Sequence, residues 1–144
     1  MFFFATINDY DYTNGESAQR IQEAIARAEE IASLSCTVNG QTVKPQVIVI
    51  GFAGLREDPS SRTDYNHYIH IFNGMLYAAV TESELLKANA ALFTTVPLLT
   101  NGQTDFISDG VHYGTKTLQT LTDYIAAFDS EASDTQNSAE RTAA

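Results

Sequence analysis

The stretch VIVIGF, residues 47–52, is the most informative part of this sequence for the fold. Its side chains are apolar on both alternating faces of an extended chain, and only Gly51 interrupts them. A strand of this composition must be covered on both sides, as strands of a parallel sheet are. The stretch therefore predicts a buried strand in a domain that has helices on both faces of its sheet.

The segment before this strand contains a second strand pattern and a helix pattern. Residues 2–7 form a short run of apolar and aromatic side chains, and its length and polar flanks favour a buried strand. An amphipathic helix is predicted next, with Asn14 or Ser17 as its N-cap. The apolar stripe of that helix consists of Ala18, Ile21, Ile25, Ala28 and Ala32.

A small hairpin is predicted between the first helix and the 47–52 strand. The Asn39-Gly40 dipeptide supplies the two residues of positive φ that a tight turn needs, and β-branched residues flank it. We therefore expect two short strands over residues 36–43, and we expect Cys36 to pack there as a small apolar residue.

Three helices and a third strand are predicted after residue 52. An apolar stripe at helical spacing predicts the first of these helices. Residues 81–84, Thr-Glu-Ser-Glu, follow it and predict a capping box and a short helix to about Ala90. A strand is expected over residues 92–96, ended by Pro97. The loop 100–114 then leads into a last helix. The first stripe consists of Tyr65, Ile69, Phe72, Leu76 and Val80, and the last one of Leu118, Leu121, Ile125 and Phe128.

The alternation of strand and helix predicts one α/β domain with a short parallel sheet. The chain has 144 residues, which is the usual size of a single domain. We place the domain at residues 1–128, because residues 129–144 contain no large apolar side chain and predict a disordered polar tail. In such folds ligands bind at the carboxyl ends of the strands.

Charge and composition argue against several classes of partner. Eight Lys and Arg stand against 18 Asp and Glu, and the basic residues are scattered singly along the chain. Phosphate recognition needs clustered cations, so nucleic acid is not expected as a partner, and neither is a membrane. A single cysteine excludes an internal disulfide and any zinc site with several cysteines.

One candidate for chemistry lies just before the last helix. Asp109 and His112 are three residues apart with Gly110 between them, so that their side chains can meet within one turn. The carboxylate would accept the Nδ1 proton of His112 and leave Nε2 to act as a base toward a hydroxyl group. The alternative is a turn in which Asp109 only stabilises the backbone and His112 is exposed.

A second candidate follows the first predicted strand. The side-chain amide of Asn8 would be a fixed hydrogen-bond donor that could face a developing oxyanion. The alternative is an Asx turn that ends the strand.

Together the two candidates resemble motif blocks of the SGNH (GDSL-type) hydrolases. Residues 6–10, Thr-Ile-Asn-Asp-Tyr, are similar to the third block, Gly-x-Asn-Asp, with Thr6 at the position of the Gly. Residues 109–113, Asp-Gly-Val-His-Tyr, are similar to the last block, Asp-x-x-His. The resemblance covers about residues 2–128, and the order of strands and helices between the two blocks also fits.

The resemblance implies a three-layer αβα, flavodoxin-like fold and a Ser-His-Asp triad. By position it assigns Asp109 as the orienting carboxylate, His112 as the base and Asn8 as an oxyanion-hole donor. The implied substrates are esters of carbohydrates or lipids, such as acetylated sugars, and no cofactor is implied.

The family carries its nucleophile in a Gly-Asp-Ser motif, and this chain has none. The chain begins at the third block, so we expect a domain that lacks its amino-terminal strands and exposes sheet edges. We expect self-association or a partner chain that supplies the missing strands and the serine, and we expect no hydrolysis by this chain alone.

Two other interpretations compete with an esterase. His67 and His70, one turn after Asp64, could join His112 at a metal ion, but histidines at the edge of an apolar stripe are more common, and no metal site is expected. The second interpretation is a non-catalytic α/β module that serves binding or assembly within a larger structural protein.

Overall fold

A parallel sheet with helices on both faces forms the mixed α/β structure of this chain. The computed structural model describes residues 2–4, 17–54 and 63–128, and of residues 2–4, 17 and 63–65 it describes only the backbone. The elements in chain order are β1 (Phe2–Phe4), α1 (Ser17–Ser33), β2 (Cys36–Val38), β3 (Gln41–Val43), β4 (Ile48–Gly51), α2 (Thr63–Glu82), α3 (Glu84–Ala88), β5 (Leu92–Thr95), α4 (Val96–Leu99) and α5 (residues 115–128).

Strand β4 lies at the centre of a three-stranded sheet of order β1-β4-β5. It pairs in parallel with both neighbours, and Val49 stands beside Phe3 on one side and beside Phe93 on the other. All four residues of β4 are buried. The prediction of a parallel strand covered on both faces is therefore confirmed, and the carboxyl ends of the three strands lie at one edge of the sheet.

The two faces of β4 contact different groups of helices. Val47, Val49 and Phe52 belong to a core cluster with buried residues of α1, α2 and α3. Ile48 and Ile50 point the other way, because side chains alternate along a strand, and they pack with Val96 and with Leu121 of α5. The predicted stripe of α2 is confirmed where the side chains are described, since Ile69, Phe72, Leu76 and Val80 are all buried.

The predicted hairpin is present, but Cys36 is placed differently from the expectation. Strands β2 and β3 pair antiparallel, and Asn39 and Gly40 adopt the expected positive φ angles of 52° and 79°. Both strands are exposed except at Val43, because the hairpin stands away from the two cores. Cys36 is consequently exposed, and the expectation that it packs as an apolar residue is wrong.

The predicted boundaries of two elements need correction. Helix α3 is capped by Ser83, whose hydroxyl accepts from the Leu86 N–H, whereas Thr81 still belongs to α2 and donates back to the Ala78 carbonyl. Pro97 does not end β5 but lies in the first turn of α4. Backbone N–H groups in the first turn have no acceptor within the helix, so proline, which lacks this N–H, fits there.

The phase of α5 also differs from the prediction at its first turn. Thr117 is buried and Leu118 is exposed, whereas the apolar stripe predicted that Leu118 would face inward. Hydrogen bonds between Thr117 and Asp105 hold the first turn in this orientation. Leu121 is buried as predicted, and Ile125 and Phe128 are partly buried.

Two expectations about the rest of the chain concern the membrane and the tail. A helix that crosses a bilayer must be both long and apolar, and no helix among the described residues meets both requirements. The tail predicted over residues 129–144 lies outside the described residues.

Replacement of Gly51 by Ala tests how tightly α2 packs on β4. A Cβ at this position would collide with the side-chain oxygen of Asn73, which is itself buried, and would press on the Thr95 methyl group at 3.2 Å. We expect Gly51→Ala to lower the free energy of unfolding by about 1–3 kcal/mol in urea titrations.

Gly74→Ala is the matched control, because a Cβ at Gly74 on the exposed side of α2 has no described atom within 4 Å. It should raise the free energy of unfolding by about 0.5–1 kcal/mol through helix propensity. Equal free energies of unfolding for Gly51→Ala and Gly74→Ala would contradict the close packing of Asn73 against β4.

Candidate functional site

Asp109 and His112 lie at the tip of a hairpin-like loop, residues 105–114. Its two sides are joined by hydrogen bonds from the Gly114 N–H to the Asp105 carbonyl, 2.9 Å, and from the Ile107 N–H to the His112 carbonyl, 3.0 Å. The Gly110 N–H closes the turn by donating to the Ile107 carbonyl, and Gly110 adopts a φ of 69° that favours glycine. This 105–114 loop forms the second part of the connection from α4 to α5, residues 100–114.

The predicted contact between Asp109 and His112 is present. Asp109 Oδ2 lies 2.6 Å from His112 Nδ1, while Asp109 Oδ1 accepts from the backbone N–H groups of Val111, 2.8 Å, and His112, 3.0 Å. One carboxylate oxygen therefore stabilises the turn and the other orients the imidazole. Contacts of both kinds that the sequence suggested are therefore present, and each uses a different oxygen of Asp109.

The electrostatics of this pair decide which nitrogen of His112 carries the proton. The hydrogen bond from His112, with the backbone N–H groups of Val111 and His112, lowers the pKa of Asp109 to about 2. Asp109 is therefore an ionised acceptor at neutral pH, and Nδ1 of the imidazole must donate to it. A neutral His112 then has the lone pair on Nε2. The His112 side chain is 76% exposed, so it is open to a reactant.

Tyr113 holds the 105–114 loop against the carboxyl end of β4. Its hydroxyl oxygen accepts from the Ala53 N–H at 2.9 Å, and Ala53 follows β4 by two residues. Burial raises the pKa of the Tyr113 phenol, and its ring packs on Phe106 with centroids 5.7 Å apart. This contact places the Asp109–His112 pair at the edge of the sheet where α/β folds bind ligands.

Asp105 attaches the other end of the loop to α5. Its carboxylate accepts from the N–H and hydroxyl groups of Thr117 and from the Lys116 N–H. The Thr117 hydrogen bonds lower the pKa of Asp105, and a carboxylate suits the positive end of a helix. Gly114 permits this approach, because a Cβ there would collide with the Asp105 carboxylate.

The other predicted site residues are Asn8 and the two histidines that were considered as metal ligands. Asn8 lies outside the described residues. His67 and His70 are exposed on α2, and within residues 17–54 and 63–128 no three His, Cys, Asp or Glu side chains cluster in a way that could hold a metal ion.

Asp105 and Tyr113 are structural supports of the site that sequence reasoning missed. Asp105 caps a helix from ten residues upstream of its start, and Tyr113 contacts an amide 60 residues away. A local signal existed only for Asp105: Gly114, directly before α5, has no side chain that could cap the helix, so a distant acceptor was needed.

Comparisons of this chain with protein-family models, with curated proteins and with solved structures find no match.

Removal of the imidazole should change the titration of its partner carboxylate. We expect His112→Ala to raise the pKa of Asp109 from about 2 toward its ordinary 3.8, because the largest lowering contribution is lost while the backbone donors remain. Carbon-13 NMR titration of the side-chain carboxyl group measures this change. His70→Ala on α2 is the matched control and should leave the pKa of Asp109 at about 2; an unchanged value in His112→Ala would contradict the pairing.

The Asp105 cap predicts an acid-sensitive contribution to stability. Its pKa is lowered in the folded state, so the contribution is present above the ordinary 3.8 and is lost as the pH falls through the lower folded value. Asp105→Ala should therefore lower the melting temperature at pH 7, and the difference from the original chain should shrink near pH 2. Asp123→Ala, on the exposed side of α5, should change the melting temperature little; a difference for Asp105→Ala that is equal at both pH values would refute the cap.

Proposed function

We propose that this chain supplies the base and its orienting carboxylate to an SGNH-type ester hydrolase whose serine nucleophile comes from outside the chain. The observation that carries this proposal is the 2.6 Å contact between Asp109 Oδ2 and His112 Nδ1, in an exposed loop attached to the carboxyl end of β4. A carboxylate-oriented imidazole with Nε2 toward solvent is the arrangement that activates a serine hydroxyl.

The fold is compatible with the three-layer, flavodoxin-like arrangement that the motif resemblance implies. A parallel sheet of order β1-β4-β5 lies between a layer with α1 and α2 and a layer with α5. The carboxyl ends of the parallel strands lie at one edge, which is where such folds bind substrates. In this proposal the ester lies across that edge and His112 approaches it from the 105–114 loop.

The proposed reaction proceeds in two steps in which His112 first accepts and then donates a proton. Nε2 accepts the serine proton while the serine oxygen attacks the ester carbonyl carbon, and the C–O bond to the alcohol then breaks as Nε2 protonates the leaving oxygen. Water attacks the acyl-serine in the same way and releases the acid. Asp109 stays ionised throughout and stabilises the imidazolium.

The exposure of His112 supports a nucleophile on another surface. The His112 side chain is 76% exposed, so the surrounding residues of this chain do not exclude water from it. In an active site, another surface would have to cover it. Two described serines are engaged elsewhere, since Ser33 donates to the Glu29 carbonyl and Ser83 bonds the Glu29 carboxylate and caps α3. The proposed source is a partner chain that carries a Gly-Asp-Ser segment, or such a segment encoded upstream in the same reading frame.

Asn8 is the proposed oxyanion-hole donor. It follows Phe4, the last residue of β1, by four positions, and β1 is parallel to β4 and adjacent to it. The carboxyl end of β1 therefore lies at the same edge of the sheet as the carboxyl end of β4. A side-chain amide near that edge could donate to the oxyanion while His112 acts on the serine.

A second candidate function is a non-catalytic binding or assembly module. Tyr68, Ile71 and Met75 form an apolar row on the exposed side of α2, and each is more than 40% exposed. Residues spaced three and four apart lie on one helix face, and such a face can serve an interface. If this function were correct, Ile71→Glu would abolish assembly, as measured by sedimentation velocity, while His112→Ala would not.

A reconstitution assay tests the esterase. The full chain, mixed with a co-encoded protein that carries the Gly-Asp-Ser segment, should hydrolyse an aryl acetate that neither protein hydrolyses alone. His112→Ala should abolish this activity, and Asp109→Asn should lower kcat by about 100- to 10,000-fold because it favours the wrong imidazole tautomer.

His67→Ala is the matched control, since His67 is exposed on α2 and outside the proposed machinery. It should retain the full rate. Equal rates in His112→Ala and the original chain, with circular dichroism spectra that show unchanged folding, would eliminate the esterase proposal.

A further inference from the structure

We propose that Tyr113 is a positioning residue of the esterase site, which it serves by fixing the 105–114 loop to the sheet. This inference rests on the proposed function for its catalytic consequence, and on the described contacts for its structural part.

The contacts of Tyr113 connect elements that are distant in the sequence. The hydroxyl oxygen accepts from the Ala53 N–H at the end of β4, 60 residues away. The ring packs against both core clusters, which lie on opposite faces of the sheet. Tyr113 also pairs with Phe106 across the loop. One side chain therefore joins the loop to the strand end and to both core clusters.

The position of His112 depends on that of Tyr113 because the two residues are adjacent in the chain and Tyr113 is held by its bridge to Phe106. With the Tyr113 ring packed inward, the His112 imidazole points out toward solvent, as its exposure shows. A rotation or shift of Tyr113 would consequently displace Nε2 relative to the carboxyl ends of the strands.

The internal geometry of the Asp109–His112 pair does not depend on Tyr113. Every described hydrogen bond of Asp109 is made to a residue no more than three positions away. Loss of the Tyr113 hydroxyl should therefore leave the pair intact while its placement on the sheet loosens. This separation distinguishes a positioning role from a general contribution to folding.

Tyr113→Phe in the full chain tests the inference, because it keeps the ring and removes only the hydroxyl. We expect amide hydrogen exchange at Ala53, Ile107 and Gly114 to accelerate at least tenfold, with the Val49 amide unchanged. The pKa of Asp109 should remain at about 2. In the reconstituted enzyme, kcat should fall about 10- to 100-fold with KM within twofold, since displacement of a catalytic group by about 1 Å has effects of this size.

Tyr124→Phe is the matched control. The Tyr124 ring stacks on Phe128, also in α5, and packs against the core cluster of Ile48, Ile50, Val96 and Leu121. No described ring stacking joins it to the 105–114 loop. It should leave the Ala53 exchange rate and kcat unchanged. Unchanged exchange at Ala53 in Tyr113→Phe would overturn the positioning role, and so would unchanged kcat in an active reconstituted enzyme. If no mixture hydrolyses esters, the proposed function fails, and the exchange rates alone then decide whether Tyr113 holds the loop.

Discussion

Burial of β4 on both faces is the constraint from which the described architecture follows. Apolar side chains that alternate above and below the strand require cover from helices on both sides, and parallel pairing with β1 and β5 requires that the connections cross over the sheet. These connections bring the three carboxyl ends to one edge. Tyr113 attaches the 105–114 loop to that edge, because its hydroxyl oxygen accepts from the Ala53 N–H, two residues beyond β4.

The fold was predictable where the signal was local. The alternation of residues 47–52, the Asn39-Gly40 turn and the stripe from Ile69 to Val80 predicted their elements correctly. The two errors in element boundaries arose where two local signals compete. Thr81 and Ser83 both resemble N-caps, and only Ser83 caps α3. Similarly, Pro97 can end a strand or begin a helix, and in this chain it begins α4.

The candidate site shows the same division between local and distant interactions. The Asp109–His112 contact spans three residues, so the spacing alone predicted it. The contacts of Asp105 with Thr117 and of Tyr113 with Ala53 span 12 and 60 residues, and no pattern in a single sequence specifies such pairs. The inward orientation of Thr117 in place of Leu118 has the same origin, because hydrogen bonds to Asp105 outweigh the burial of one leucine.

The tautomer of His112 is the most direct test of the central claim, which is that Asp109 orients the imidazole so that Nε2 faces outward. Long-range proton–nitrogen NMR correlation of the full chain, at a pH where the imidazole is neutral, distinguishes the two nitrogens. The described geometry predicts a proton on Nδ1 and an unprotonated Nε2, and Asp109→Asn should shift the population away from this form. A neutral His112 with its proton on Nε2 would contradict the claim and would leave the loop without a base.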